Sequence, residues 1–251
     1  MNSLVFADAN ILVDAILDYD RRDTAHQLAQ RRARQPETQL PMLDTLFSSK
    51  DPRLNDLAAA IDDGEFATSD NLLDTVGVAL TKKRGLAKVL VSERLDELVS
   101  YPGITGEMSS RTWSDIRDEA LTVTWPLLKR TVPTVLADMD AHGRRIDSSD
   151  PRVDLEDLGV CTTLARLAKS HPDVMVTFAT CDGWCGVGAS AMVANIRTRM
   201  YHHDGGRWND HTYTTPAESV RTPPAHNPRH TPRHVTISTP VTTSHNRGYG
   251  R

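Results

Sequence analysis

The sequence predicts an α/β fold of three layers, with a central parallel sheet between helices. Three observations lead there. Short apolar runs of strand length recur along the chain; segments of helical period separate them; and acidic residues fall where strands exit or helices begin. Strands separated by helices throughout require crossover connections, and a parallel sheet built that way is covered on both faces.

The first element is "LVFAD" (4–8), an apolar strand that stops at Asp8. From there Ile11, Leu12, Ala15 and Ile16 recur on one helix face, which predicts a helix over 10–32 with Asn10 as its N-cap. Asp8 thus closes a buried strand beside a helix N-terminus, in the crevice where open α/β sheets bind ligands. Plain helix capping by Asp8 is the competing expectation. "DPRLNDLAAAIDDG" (51–64) predicts a helix with Leu54, Leu57, Ala58 and Ile61 on one face and Gly64 past its end. "EFATS" (65–69) is a short strand, and a helix follows from Ser69 with Leu72, Leu73, Val76 and Leu80 inward. Residues 86–100 form a further helix. The helical pattern of 111–142 is interrupted at Pro126 and Pro133 and closes at Gly143. "VDLEDLGVCTTLARLAK" (153–169) then leads into the apolar strand "DVMVTF" (173–178).

Bulk properties narrow the function classes. The chain has 251 residues, with 39% hydrophobic and 5% aromatic residues, so Leu, Val, Ile and Ala must build its core. A formal net charge of −4 argues against coating nucleic acid through bulk positive charge, while leaving room for contact at a cleft. No stretch approaches a membrane span, and the first residues are too short and too acidic for a signal peptide. Three cysteines do not make a disulfide framework, and a reducing cytoplasm is the expected compartment.

Composition divides the chain at about residue 199. From Tyr201 onward it holds six of the 14 prolines and seven of the 10 histidines, and six Arg face Asp204, Asp210 and Glu218. This stretch shows no apolar period, so 1–199 is expected to be the folded domain and 200–251 a disordered, low-complexity tail. So abrupt a change also fits a shifted reading frame.

The acids form the most informative pattern. Asp8 closes the first strand; Asp154 and Asp157 stand just before and at the start of the helix over 157–169; Asp182 follows the 173–178 strand after "ATC". In a parallel sheet these positions converge at one edge. Converging carboxylates cannot all stay ionised without a counter-charge, and hard cations such as Mg²⁺ or Mn²⁺ supply it. Such a site activates water against a phosphodiester.

The segment "VFADANILVDAIL" resembles the opening of PIN-domain proteins, a ribonuclease fold used by many toxins of toxin–antitoxin pairs. "EFATSDNLLDTVGVAL" resembles that family's second strand and the helix after it. "DLEDLGVCTTLARLAKSHPDVMVTFATCDGW" resembles the stretch where an Asp opens a helix and a strand ending in Val-Thr leads to the last acidic position. The likeness covers residues 3 to 185 and implies a metal-dependent endoribonuclease. Asp8 matches the first metal ligand, Asn10 the small polar residue supporting it, Asp157 the acid of the penultimate helix with Asp154 nearby, and Asp182 the acid after the last core strand. Thr177 matches the Thr at that strand's end. Two positions depart from the pattern: Thr75 stands where the family has Glu, with Asp74 beside it and Asp70 in the first turn, and Ala179 stands where many relatives have Asn. The toxin relatives imply an RNA substrate, an antitoxin partner and a homodimer. The stretch around 103–150 exceeds a minimal PIN domain and is expected to be a helical insertion.

Other readings compete. Thr75 and Ala179 favour a degenerate PIN-like module that binds RNA or a protein partner without cutting. A phosphatase-like hydrolase with Asp8 as nucleophile needs a second acid two residues on, where Asn10 stands. "CDGWC" spaces Cys181 and Cys185 as in some zinc sites, but a second cysteine pair is missing.

Overall fold

A computed structural model describes residues 3–101, 105–107, 113–128, 130, 155–204 and 207–213. Strand β1 (Ser3–Ala7) runs directly into α1 (Ala9–Arg32), followed by α2 (Met42–Phe47) and α3 (Pro52–Asp62). Next come β2 (Phe66–Ser69), α4 (Asp70–Val78), a π-helical turn (Ala79–Lys83) and α5 (Lys88–Val99). Strand β3 (Thr105–Glu107), α6 (Trp113–Glu119) and a second π-helical turn (Ala120–Thr124) follow. The described chain ends with α7 (Leu155–Ser170), β4 (Met175–Thr180), α8 (Gly183–Met192), β5 (Ile196–Asp204) and β6 (Arg207–Tyr213).

The six strands form one sheet in the order β3-β2-β1-β4-β5-β6. All neighbours are parallel except β5 and β6, which form an antiparallel ladder. The sheet is therefore mixed, not wholly parallel. Antiparallel pairing needs only a tight connection, and two residues join β5 to β6.

Local chemistry explains the early elements. In β1, Leu4 and Phe6 are buried on one face, where Phe6 packs on Phe178 with ring centroids 6.3 Å apart. Helix α1 buries Ile11, Leu12, Ala15 and Ile16, the stripe expected from their spacing. In α3, Asp51 accepts a hydrogen bond from the Arg53 amide and Pro52 opens the first turn. Gly64 has φ +68°, the left-handed residue that ends such a helix at least steric cost. Leu54, Leu57, Ala58 and Ile61 are buried as expected, as are Leu72, Val76 and Leu80, whereas Leu73 is half-buried.

Two expected boundaries change. The division at residue 199 falls inside β5, and residues 200–204 and 207–213 belong to the sheet. Ile196, Thr198 and Met200 are buried on one face of β5 while Arg197 and Arg199 point to the other, so alternation overrides the polar composition there. The rest of the expected tail, 214–251, lies outside the described residues. The stretch around 103–150 is not wholly helical, because β3 extends the sheet beside β2. Residues 131–154 lie outside the described set.

Candidate active site

The strand order reverses at β1, which feeds β2 and β3 on one side while β4 lies on the other. Ligands bind open α/β sheets outside the carboxyl ends of the strands at such a reversal. Asp8 follows β1 there, and Asp182 lies two residues beyond β4.

One hydroxyl joins these two acids. Thr180 Oγ1 donates to Asp8 Oδ2 at 2.7 Å and accepts from the Asp182 amide at 2.9 Å. The backbones are tied as well, by Asp8 N donating to the Ala179 carbonyl at 2.8 Å. Asp8 occupies the N-cap position of α1, yet its side chain makes no capping hydrogen bond, so the plain capping role does not describe it. The helix begins at Ala9, one residue ahead of the expected start, and Asn10 is not its cap. Asp182, by contrast, caps α8, with Oδ1 accepting from the Cys185 amide at 3.0 Å.

Asp8 is 5% exposed. Burial pushes its carboxyl above the ordinary range; the Thr180 hydroxyl and the Ala9 amide oppose that, the Asp182 charge adds to it, and Asn10 opposes it weakly. Among the described residues no Lys or Arg forms an ion pair with Asp8. A buried carboxylate beside a second one, lacking a cationic partner, is the donor chemistry of a hard divalent ion. No group of three or more metal-ligating side chains occurs among the described residues.

The remaining predicted positions divide. Asp157 lies in the first turn of α7, one turn ahead of Cys161, whose sulfur touches that of Cys185 three residues past Asp182. The backbone of Asp157 is thus on the helix that abuts the Asp182 turn; its side chain, and all of Asp154, lie outside the described residues. Asp74 is exposed on α4, and Thr75 donates its hydroxyl back to the Asn71 carbonyl at 3.0 Å. Thr177 does not stand at the strand end. It lies mid-β4 on the opposite face from Thr180, and accepts from Arg197 Nε at 2.7 Å. The strand runs to Thr180, and that residue takes the place expected of Thr177 beside the acids.

No family model, curated protein or solved structure matches this chain.

Two further features, the surroundings of Arg53 and a cleft along the sheet, lie beyond what the sequence singled out. Arg53 on α3 is buried, pairs with Asp51 at 2.5 Å and Asp14 at 3.0 Å, and stacks 3.7 Å above the Trp208 ring. Its Nη1 also donates to Cys181 Sγ at 3.3 Å. Burial raises the Cys181 thiol, against the pull of Arg53. Cys181 and Cys185 therefore face different partners, which removes the zinc spacing as a shared site. Finally, a cleft of about 400 Å³ opens between α3 and the sheet face bearing Val5, Thr177 and Arg197. Tyr201 donates to Asp56 at its rim, at 2.8 Å. Nonlocal contacts of this kind carry no signal in local sequence.

Proposed function

We propose that the chain is a three-layer, PIN-like domain acting as a metal-dependent endoribonuclease. The observation carrying this reading is Asp8: a buried carboxylate without an ion-pairing cation among the described residues, placed beside Asp182 where the strand order reverses. Asp8 and Asp182 hold Mg²⁺ or Mn²⁺, Asp157 is the third donor, and Asp154 and Asp74 are further candidates. A bound divalent ion supplies charge neutralisation and a water made acidic enough to attack an RNA phosphodiester. Thr180 fixes the rotamer of Asp8 and, through the Asp182 amide, the start of the turn carrying the second acid. Asn10 supports Asp8 from the first turn of α1. No covalent intermediate on the chain is required. An antitoxin protein and a second copy of the chain are the partners proposed with this activity.

Calorimetry with Mn²⁺ and RNA cleavage in the same samples test it. The wild type is expected to bind the ion and cut, and Asp8→Asn to lose both. A wild type that binds no metal at millimolar concentration and cuts nothing overturns the nuclease reading.

One observation favours a second reading, a degenerate PIN-like module that binds RNA or protein without cutting. The position of the family's Glu holds Thr75, satisfied within its own helix, and neighbouring Asp74 is exposed. RNA retained on the protein without metal and without cleavage supports that module.

A further inference from the structure

We propose that Cys161 and Cys185 form a site of reversible oxidation, closing to a disulfide when a small peroxide reaches them. Their sulfurs lie 3.4 Å apart, one on α7 and the other in the first turn of α8. Both residues are buried, at 0% and 1% exposure. A disulfide needs roughly 2.05 Å between sulfurs, so the two must close by roughly 1.4 Å, a distance that side-chain rotation covers.

The backbone of Cys185 is held in place. Its amide donates to Asp182 Oδ1 at 3.0 Å, and the next residue, Gly186, receives a 2.6 Å hydrogen bond on its carbonyl from Thr198 Oγ1. A Cβ at Gly186 would stand 2.7 Å from Thr198 Cγ2, so α8 sits hard against the sheet. The sulfur pair is thus a fixed juxtaposition. The third cysteine does not share it, because Cys181 is engaged by Arg53 on α3.

Burial selects the oxidant. At 0% and 1% exposure, the two thiols are reached by a small neutral oxidant such as hydrogen peroxide with less opening of the fold than a tripeptide disulfide needs. One thiol sulfur attacks the peroxide; the O–O bond breaks, the thiol proton leaves in a water, and a sulfenic acid remains. The second sulfur then attacks the sulfenic sulfur, the S–S bond forms, and its proton departs with the hydroxyl as a second water. Two thiols lose two electrons and two protons, and one peroxide accepts them. The product clips the first turn of α8, which Asp182 caps, to α7. Formation of the bond is independent of the nuclease reading.

The test treats the full chain, in wild-type and Cys181→Ser forms, with hydrogen peroxide under native conditions, followed by non-reducing peptide mapping. The expected result in both is loss of the mass of two hydrogen atoms and a peptide linking residues 161 and 185. In the Cys181→Ser chain Tm should rise by roughly 5–10 °C, since the bond closes a loop in the unfolded state, and dithiothreitol should reverse the rise. Cys161→Ser, and Cys161→Ala should the first fold poorly, is expected to give neither link nor rise in that background. A link through Cys181, sulfinic acid without a link, or thiols that stay intact while the urea-unfolded chain oxidises would each overturn the proposal.

Discussion

Thr180 and Asp8 stand 172 residues apart in the chain and are joined by a 2.7 Å hydrogen bond from hydroxyl to carboxylate. The same hydroxyl accepts from the Asp182 amide, so both ends of the candidate site depend on it. Thr180→Val keeps the shape and removes the donor. Hydrogen bonds to charged groups contribute about 1.5–3 kcal/mol, and the variant should lose stability in that range by urea denaturation of metal-free protein. Thr180→Ser, which keeps the hydroxyl, is expected to recover most of the loss.

Asp8 also sets a pH dependence. Its folded-state pKa lies above the unfolded value because burial disfavours the charge. Between the two values the folded chain binds more protons, so stability from this group is full below the unfolded pKa and is lost as pH rises through the folded one. Metal-free Asp8→Asn should therefore gain stability over wild type at neutral pH, and the gain should vanish toward acid. Thermal melts across pH in the presence of a chelator check this. Equal melting of the two proteins at neutral pH would remove the buried charge from the account.

Gly186 is where α8 meets β4 and β5. A methyl there meets Thr198 Cγ2 at 2.7 Å, Thr180 Cγ2 at 3.1 Å and Met200 Sδ at 3.2 Å. Thr198 cannot turn away freely, because its hydroxyl is bonded to the Gly186 carbonyl. Overpacking of this kind costs about 1–3 kcal/mol, and Gly186→Ala should show it in denaturant titration. As Thr180 is one of the displaced neighbours, the same variant should also weaken the Mn²⁺ binding proposed for Asp8 and Asp182, measured by calorimetry.

The β5–β6 pairing makes a prediction about chain ends. A chain stopped after Tyr213 keeps the ladder, whereas one stopped after Arg199 loses β6, the buried Met200 and Tyr201, and the Tyr201 bond to Asp56. Burying one large apolar side chain contributes about 1.5–3 kcal/mol, so the shorter chain should lose several kcal/mol. Circular dichroism melts of the two compare them directly, and similar melting would show that the ladder adds nothing.

Much of the first half was legible because local rules and tertiary packing agree there. The β1–α1 switch, the Asp51-Pro52 start of α3 and the Gly64 stop each rest on adjacent residues. Strand β5 is hard to read for a physical reason: Arg197 and Arg199 alternate with buried Ile196, Thr198 and Met200, and exposed His202 and His203 follow, so polar composition hides the alternation. Strand β3 has three residues, too few for any period. Within the site, Asp8 and Asp182 were legible from their place after apolar strands. Thr180 was not legible: the apolar run reads as a strand over 173–178, whereas β4 continues to Thr180, and strand ends are poorly fixed by sequence. Arg53 and Cys181 meet across 128 residues, and nothing in either segment announces the other.

Because the central strand β1 is made well before its neighbour β4, the ribosome imposes an order on the candidate site. Asp8 leaves the exit tunnel with no Thr180 to hold it, and the partner arrives after 172 more residues have been added. At 5–20 residues per second that interval is roughly ten to thirty seconds. A chain stalled or cut short before β4 thus carries the acid without its setting, and whatever chemistry the finished edge performs is withheld from unfinished products of translation.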